Sequence, residues 1–248
     1  MCRSASRRLT GVLIALLALA CNAAAAELPT SARADAVITA AASRLSLSLA
    51  KKGLHLGAPL LITIYKEERM LEVWLQASDN RYQLLNFYPI CAVSGRLGPK
   101  LSQGDRQAPE GFYEIGPTQL NPTSAYHLAL DLGFPNAYDR AQGRTGSLLM
   151  IHGDCVSVGC YAMTDRRIDE IYTLAYASLT GGEPSIPVHI FPFRMTALKM
   201  SEHAGSPYYD FWLNLKEGYD AFQSTGRPPK IAVSHRQYVV LAAPLGQP

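Results

Sequence analysis

The residues best suited to chemistry lie together in one short stretch, LLMIHGDCVSVGCYAMTD, which runs from Leu148 to Asp165. It contains His152, Cys155 and Cys160, with glycines and a serine between them. A cysteine attacks as its thiolate, and a neighbouring imidazole can accept the thiol proton or stabilise the anion as an ion pair. The stretch therefore predicts nucleophilic catalysis by a cysteine that is assisted by a histidine.

Cys160 is the favoured nucleophile. It follows His152 by eight residues, a spacing that lets a loop bring thiol and imidazole together. Gly159 would let a substrate carbonyl approach the backbone, and the N–H groups of Cys160 and Tyr161 could hold an oxyanion. A helix predicted to begin just after Cys160 would add partial positive charge. Ser157 would either orient His152 or hold the turn, and the sequence does not separate these roles.

The first 26 residues have the three-part layout of a secretory signal. Three arginines without an acid precede an apolar run of about a dozen residues, which is too short to span a bilayer. Cleavage after Ala26 is favoured over lipid attachment at Cys21, which would tie the protein to a membrane. Without this segment the charges balance, at 23 − 3 = 20 basic against 20 acidic residues. The charge therefore gives no reason to expect nucleic-acid binding.

Local sequence favours Cys160 over its competitor Cys155, which is nearer to His152 but lies in the middle of the loop with no glycine before it, and cysteine counting leaves the pairing open. Removal of the leader reduces five cysteines to three, namely Cys91, Cys155 and Cys160. Secretion implies an oxidising compartment, where cysteines tend to pair, and an odd number leaves one free. A bond between Cys91 and Cys155 would leave Cys160 free, although the sequence does not give the Cα separation that such a bond needs.

Two other interpretations use the same residues. His152, Cys155 and Cys160, together with His189 on a later strand, could form a Cys₂His₂ zinc site. The C-x4-C spacing is at the loose edge of what such sites use, and no second tight pair is present. Alternatively, the histidine and cysteines are simply buried in a β core. We favour catalysis and expect no metal or cofactor.

The order of predicted elements indicates an α+β protein, a β-rich domain with helices before, inside and after it. A helical segment over residues 27–57 precedes a hairpin around Lys66–Arg69, and further strands lead to SLLMIHG, which delivers His152 to its end. A helix is predicted over DRRIDEIYTLAYASLTGG and a second over SPYYDFWLNLKEGYDAFQSTG. The tail after it predicts one edge strand.

IHGDCVSVGCYAMTD resembles the active-site motif of the YkuD-type L,D-transpeptidases, with His152-Gly153 and Ser157-Val158-Gly159-Cys160 at the matching positions. PICAVSGRLGPKLSQGDRQAPEGFYEI, NAYDRAQGRTGSLLMIHG and IPVHIFPFRMT resemble the YafK-like branch of that family. Most members have a second histidine where Val158 stands here. The resemblance implies a β-rich sandwich or barrel as the catalytic core. It also implies four parts: a signal peptide (1–26), a helical extension (27–57), a YkuD-like catalytic domain (58–200) and a C-terminal helix and tail (201–248).

The resemblance also implies a reaction on peptidoglycan stem peptides in the periplasm. Cys160 would attack the carbonyl at the L-centre of diaminopimelate to form a thioester, and His152 would take the thiol proton and later protonate the leaving amine. An amine acceptor makes a transpeptidase and water makes a hydrolase. The YafK-like branch implies action on the link between peptidoglycan and a Braun-type lipoprotein. The alternatives are an L,D-carboxypeptidase that trims tetrapeptides and a non-catalytic wall-binding module.

Four residues are candidates for binding the substrate. Arg140 and Arg144 precede the strand that ends at His152, and bidentate arginines suit the free carboxylate of diaminopimelate. Tyr161 and Gly153 would line the groove beside the nucleophile. Plain structural roles for these residues remain open at this point.

Overall fold

The computed structural model describes residues 27–241, so the predicted signal peptide and Cys21 lie outside the described residues. The helices are α1 (Ala32–Ala50), α2 (Ala137–Ala141), α3 (Asp165–Thr180), α4 (Ala197–Glu202) and α5 (Tyr209–Thr225). The strands are β1 (Leu60–Tyr65), β2 (Met70–Gln76), β3 (Tyr82–Pro89), β4 (Ala92–Val93), β5 (Gly111–Ile115), β6 (Leu120–Asn121), β7 (Ala129–Asp131), β8 (Met150–His152), β9 (Tyr161–Ala162), β10 (Ile186–Phe191), β11 (Lys230–Ser234) and β12 (Gln237–Leu241).

Two five-stranded sheets make up the domain, and the expected α+β class is confirmed. The first sheet has the order β3-β2-β1-β10-β5 and the second the order β4-β9-β8-β7-β6, each with one parallel pair. The predicted hairpin of β1 and β2 is present, with Tyr65 paired to Met70 across the turn. The sheets pack in the manner of a sandwich, and neither closes into a barrel, so only the sandwich part of the expectation holds.

The main core lies between the sheets, α1 and α3, and it takes alternate residues from each strand. Ile62 and Ile64 of β1 and Val188 of β10 point into it from the first sheet, and Ile151 and Tyr161 enter it from the second. Because side chains alternate across a strand, the residues between these positions face outward. The neighbours of Ile151 and Tyr161 in the sequence are therefore presented on the opposite face of the second sheet.

The predicted helical segment before the domain is α1. Its N-cap residue Ser31 accepts a hydrogen bond from the backbone N–H of Ala34 at 3.1 Å, and the buried side chains of Leu45 and Leu49 join the main core. The helix ends at Ala50, before the Lys-Lys-Gly sequence that predicted its stop. Among residues 27–241, no helix has the length and apolar character needed to cross a membrane.

The C-terminal part packs on the outer face of the first sheet through a second apolar cluster. Trp212 and Leu215 of α5 meet Phe112 of β5 and Phe191 of β10 there. The sequence predicted α5 but not the short helices α2 and α4. The tail forms a hairpin of its own, β11–β12, instead of the single edge strand that was predicted. Its strands pair with each other, so the hairpin leans on the domain through side chains such as Tyr238.

A buried ion pair fastens α5 to the domain. Glu110 is fully buried and accepts hydrogen bonds from Lys66 Nζ at 3.0 Å, the Gly98 N–H at 2.7 Å and Trp212 Nε1 at 2.9 Å. Lys66 Nζ also donates to the carbonyls of Gly98 and Ala108, each at 2.8 Å. All three N–H groups of the Lys66 ammonium therefore have acceptors within the protein.

We predict that Lys66→Met lowers the free energy of unfolding by about 3–5 kcal/mol, because it leaves the buried Glu110 carboxylate without a positive charge to balance it. Urea denaturation would measure the loss. Lys216→Met is the matched control, because it removes a surface pair with Asp220 and should cost less than about 1 kcal/mol. Equal effects of the two substitutions would contradict the assignment.

Candidate active site

Strand register places His152 and Cys160 on one face of the second sheet. β8 and β9 run parallel with Ile151 beside Tyr161 and His152 beside Ala162. Since Tyr161 points into the core, Cys160 points the other way, onto the same face as His152. Residues in this diagonal relation on adjacent strands have Cα atoms about 7–8 Å apart, with their Cβ atoms somewhat closer.

The imidazole of His152 is held in one tautomer. Its Nδ1 lies 2.6 Å from the carbonyl oxygen of Gly153. Because a carbonyl can only accept, Nδ1 carries the hydrogen and Nε2 keeps its lone pair. The residue is only 2% exposed, and burial lowers the pKa of His152 although the Gly153 carbonyl and the Asp154 carboxylate act in the opposite direction. At neutral pH the ring is therefore a neutral base.

A loop residue that the sequence did not single out packs on this ring. Tyr126 lies against His152 with ring centroids 4.8 Å apart and planes inclined by 35°. Its carbonyl also accepts a hydrogen bond from the Gly153 N–H at 3.1 Å. The next residue, His127, binds Asp169 of α3 at 2.7 Å and anchors the loop. Sequence spacing does not predict the contact between Tyr126 and His152, because it joins a loop to the end of a strand.

The Cys160 thiol is partly buried. Its Sγ lies 3.7 Å from the carbonyl oxygen of Leu148, and among residues 27–241 no hydrogen bond joins it to the His152 ring. Burial raises the pKa of Cys160 and the nearby Asp131 carboxylate acts in the same direction, while a backbone hydrogen bond at Met150 and the Lys100 ammonium act against them. These directions favour a thiol beside a neutral imidazole over the ion pair that the sequence left open.

The prediction that a helix beginning just after Cys160 would add partial positive charge at the thiol is wrong. Tyr161 and Ala162 form β9, and α3 begins only at Asp165, so no helix starts beside Cys160. A helix dipole acts mainly within the first turn of its helix, and the nucleophile lies outside that turn.

Ser157 holds the nucleophile turn. Its Oγ accepts a hydrogen bond from the Cys160 N–H at 3.1 Å and donates to the Cys160 carbonyl at 2.7 Å. The Gly159 N–H donates to Ser94 Oγ at 2.5 Å, and the two serine hydroxyls lie 3.4 Å apart. Of the two roles predicted for Ser157, these hydrogen bonds support holding the turn over orienting His152. The Cys160 N–H, predicted as an oxyanion donor, is engaged by this hydroxyl in the described state.

Two glycines are required by space or by backbone conformation. Gly159 has φ +102°, in the left-handed region that residues with a side chain rarely adopt. A Cβ at Gly153 would lie 2.6 Å from Asp165 Oδ1 and 3.1 Å from the Tyr126 carbonyl. The strand end that carries His152 can therefore bend towards α3 only with glycine at this position.

A disulfide ties down the loop between base and nucleophile. Cys91 and Cys155 are bonded, with Cα atoms 5.2 Å apart, and Cys160 is the free cysteine of the described residues. The backbone N–H of Cys91 donates to the Ala162 carbonyl, and that of Cys155 to the Met163 carbonyl. The zinc alternative is wrong because it needs Cys155 as a thiolate, and no cluster of three metal-ligating side chains occurs within residues 27–241.

The structure gives the other predicted binding residues protein partners. Arg144 is nearly buried, donates to Asp139 Oδ1 at 2.8 Å and lies over the rings of Tyr138 and Phe211. Tyr161 has no exposed surface, and its hydroxyl donates to the Pro109 carbonyl at 2.6 Å. These contacts favour structural roles for Arg144 and the Tyr161 side chain.

Arg140 remains exposed on α2, where its guanidinium donates to the carbonyl of Pro135. The charged groups that act on the Cys160 thiol are instead Asp131 and Lys100. Asp131 pairs with Met150 on β8, so it stands on the same face as Cys160. The sequence did not single out Asp131, and only the strand register brings it to the site.

Comparison with known proteins agrees with this geometry. The L,D-transpeptidase catalytic domain, YkuD, matches residues 59–190, which begin one residue before β1 and end within β10. The chain therefore belongs to the L,D-transpeptidase family, whose substrate is peptidoglycan.

Within that family the chain is similar to YafK of Escherichia coli (strain K12), which is provisionally named an L,D-transpeptidase. The two are 52% identical over 185 residues, 75% of each chain, and the protein of the same name from E. coli O157:H7 matches equally. The expected YafK-like branch is thereby confirmed. The similarity extends over more residues than the catalytic domain alone.

Solved structures of the helical cell shape determining protein Pgp2 from Campylobacter jejuni also match. One covers 76% of this chain and 79% of that chain, at 18% identity and a TM-score of 0.44. Its K307A mutant covers 71% of this chain at 19% identity and a TM-score of 0.45, and the present chain spans 62% of that chain's length.

The resting protonation state predicts how the thiol reacts with pH. Because burial raises the pKa of Cys160, alkylation by iodoacetamide should be slow at neutral pH, rise steadily with pH as thiolate forms, and level off only above the ordinary thiol pKa of about 8.5. Mass spectrometry of the modified protein between pH 6 and 10 would measure this, with Cys160→Ser as background. A rate already at its plateau below pH 7 would indicate a thiolate–imidazolium pair and contradict the prediction.

Ser157→Ala should lower turnover of peptidoglycan by about 10- to 100-fold, because a thiol misplaced by about 1 Å loses alignment with the scissile carbonyl. The melting temperature should change little, since only the turn loses hydrogen bonds. Ser201→Ala on exposed α4 is the matched control and should keep wild-type turnover. Wild-type activity in Ser157→Ala would show that the hydroxyl does not position the nucleophile.

Proposed function

We propose that this L,D-transpeptidase family member uses Cys160 as nucleophile and His152 as base on the carbonyl at the L-centre of diaminopimelate. The observation that carries the proposal is the shared face of β8 and β9, where the free thiol and the neutral imidazole lie in diagonal positions. The family supplies the substrate class, peptidoglycan.

The reaction follows from the groups that are present. As Cys160 Sγ turns from the Leu148 carbonyl towards the substrate, Nε2 of His152 takes the thiol proton and sulfur bonds to the carbonyl carbon. The tetrahedral intermediate collapses with loss of the amine, which receives the proton from the imidazolium, and a thioester remains. An incoming amine or water then attacks the thioester and regenerates the thiol. Gly159 leaves space for the carbonyl to approach.

A raised thiol pKa requires a base during attack, because little thiolate is present beforehand at neutral pH. Once its proton is removed, a thiol of high pKa gives a more nucleophilic sulfur. The neutral His152 is able to remove it, because Nδ1–H is held by Gly153 and Nε2 is free to accept. Stacking against Tyr126 keeps the ring at the strand end.

The exposed apolar surface around Cys160 favours a substrate in which the leaving group or the acceptor is a polypeptide. Leu148 is 67% exposed and Val158 is 73% exposed, and both flank Cys160. Tyr126, which packs on His152, adds further exposed surface beside the site. Such a rim offers more contact than the single methyl group of D-Ala can use. We therefore place cleavage or formation of a peptidoglycan–lipoprotein link before trimming of tetrapeptides, and we propose the periplasm as the compartment.

The test is product analysis on purified sacculi with and without covalently attached lipoprotein. We expect the protein to release or exchange lipoprotein, with thioester trapped on Cys160, and Cys160→Ala to reduce product by 10³-fold or more, on the order expected for loss of a nucleophile. Mass spectrometry identifies both products and adduct.

Two comparisons make this result decisive. Val158→Ser should reduce lipoprotein release more than release of D-Ala, because only the first product contacts the apolar rim. Cys91→Ser with Cys155→Ser keeps the nucleophile while removing the other sulfurs, so residual product there assigns the chemistry to Cys160. Unchanged products from Cys160→Ala would end the proposal, and release of D-Ala alone would establish the carboxypeptidase instead.

A further inference from the structure

A large cavity lies on the other side of the first sheet from the main core. It has a volume of about 950 Å³, near the upper end of the range for ligand pockets. One wall is the outer face of β5 and β10, and the opposite wall is the β11–β12 hairpin. Its lining includes Tyr82, Phe112, Glu114, Glu183, His189 and Tyr238. The hairpin wall lies outside the matched catalytic domain.

His189 is a buried polar residue in this lining that no protein group satisfies. It is 2% exposed, and its Nδ1 has no hydrogen-bond partner among residues 27–241. Burial lowers the pKa of His189 to about 3, so the ring is neutral and offers one donor and one acceptor. Phe112 holds it edge to face at a centroid distance of 4.9 Å. Buried polar groups in proteins are almost always paired, so an unpaired one indicates a missing partner.

The remaining lining suits a ligand that is neutral and rich in hydroxyl and amide groups. Two carboxylates, Glu114 and Glu183, stand in the cavity with three cationic side chains, Arg140, Arg227 and Lys230, so neither a strongly anionic nor a strongly cationic polymer is matched. Glu183 contributes to raising the pKa of Tyr82, after burial, which places the two side chains near each other. Aromatic rings supply flat apolar faces, and carboxylates and amides supply planar hydrogen-bonding groups.

Most of the cavity lies on the outer face of the first sheet, but Leu132 and Gly133, which directly follow β7 of the second sheet, also line it. Asp131 and Cys160 stand on either side of Met150, about two strand spacings or roughly 10 Å apart. Asp131 accepts a hydrogen bond from the N–H of Gly133, and Gly133 lines the cavity. A stem peptide has three residues from its sugar to the scissile carbonyl, which span about 10 Å when extended, and the lactyl group and γ-link add several more.

We propose that this cavity binds the glycan strand of peptidoglycan, with the sugar that carries the stem peptide nearest to Gly133. The proposal rests on the function proposed above, because the peptide must reach Cys160 while its sugar occupies the cavity. The hairpin closes one wall, and His189 hydrogen-bonds a sugar hydroxyl or acetamide group.

Binding is tested with short peptide-free glycan oligomers from peptidoglycan and the full-length protein, by calorimetry. We expect binding to the glycan but not to cello-oligosaccharides, which lack acetamide groups. Glu183→Gln should weaken binding at least tenfold, while Glu217→Gln, the same change on the exposed side of α5, should leave it unchanged.

His189→Phe separates binding from folding. Phenylalanine removes the unpaired nitrogen while filling similar space, so the melting temperature should stay the same or rise while glycan affinity falls at least tenfold. Loss of both affinity and melting temperature would point to damage of the fold, and Glu183→Gln then decides. Equal affinity of the wild type, Glu183→Gln and His189→Phe would overturn the proposal.

Kinetics distinguish this inference from the proposed function. We compare kcat/KM for glycan-linked stem peptide with kcat/KM for the free stem peptide. In Glu183→Gln the ratio of the first to the second should fall at least fivefold, because KM for the glycan-linked substrate rises. An unchanged ratio, with both activities still lost in Cys160→Ala, would overturn the glycan site alone. Full activity in Cys160→Ala would overturn the proposed function, whatever the calorimetry shows.

Discussion

The site depends on the two-residue period of a parallel strand pair. Ile151 and Tyr161 are adjacent across β8 and β9 and both are buried in the main core. Their burial fixes the register, because a shift of one residue would expose these side chains and turn His152 or Cys160 into the core. His152 and Cys160 appear on the outer face as a consequence. The driving force that folds the sandwich is thus the same one that brings base and nucleophile together.

Register alone leaves the side chains free to rotate, and other contacts restrict them. The His152 ring is fixed by the Gly153 carbonyl and the Tyr126 ring, and the Cys160 backbone by Ser157. The disulfide restrains the loop between them without contributing a reactive sulfur. The thiol itself keeps only a long contact with a carbonyl. The nucleophile is therefore the least constrained member of the pair, which suits a group that must move to attack.

Much of this arrangement was readable from the sequence. The hairpin of β1 and β2, the strand ending at His152 and the helix α3 follow from local periodicity, and the Gly-Cys step singled out Cys160. The helix start beside Cys160 was wrong because β9 is only two residues long, too short for a period to show. Asp131, Ser94 and Tyr126 were missed because they come near the site only through strand pairing and loop packing. Arg144 was chosen for its charge, and its burial against Asp139 depends on tertiary contacts.

The C-terminal elements complete a cavity that the two sheets alone do not form. β5 and β10 would otherwise expose Phe112, His189 and Phe191 on their outer face, and α5 covers part of that face through Trp212. The Lys66–Glu110 pair makes this attachment specific, since a buried charge is tolerated only with its partners in place. α5 and the hairpin leave Nδ1 of His189 unpaired, with the rings of Phe112 and Phe191 packed edge-on against the imidazole. An addition that served only to cover an apolar face would be expected to exclude such a residue, so the retained cavity argues for a ligand there.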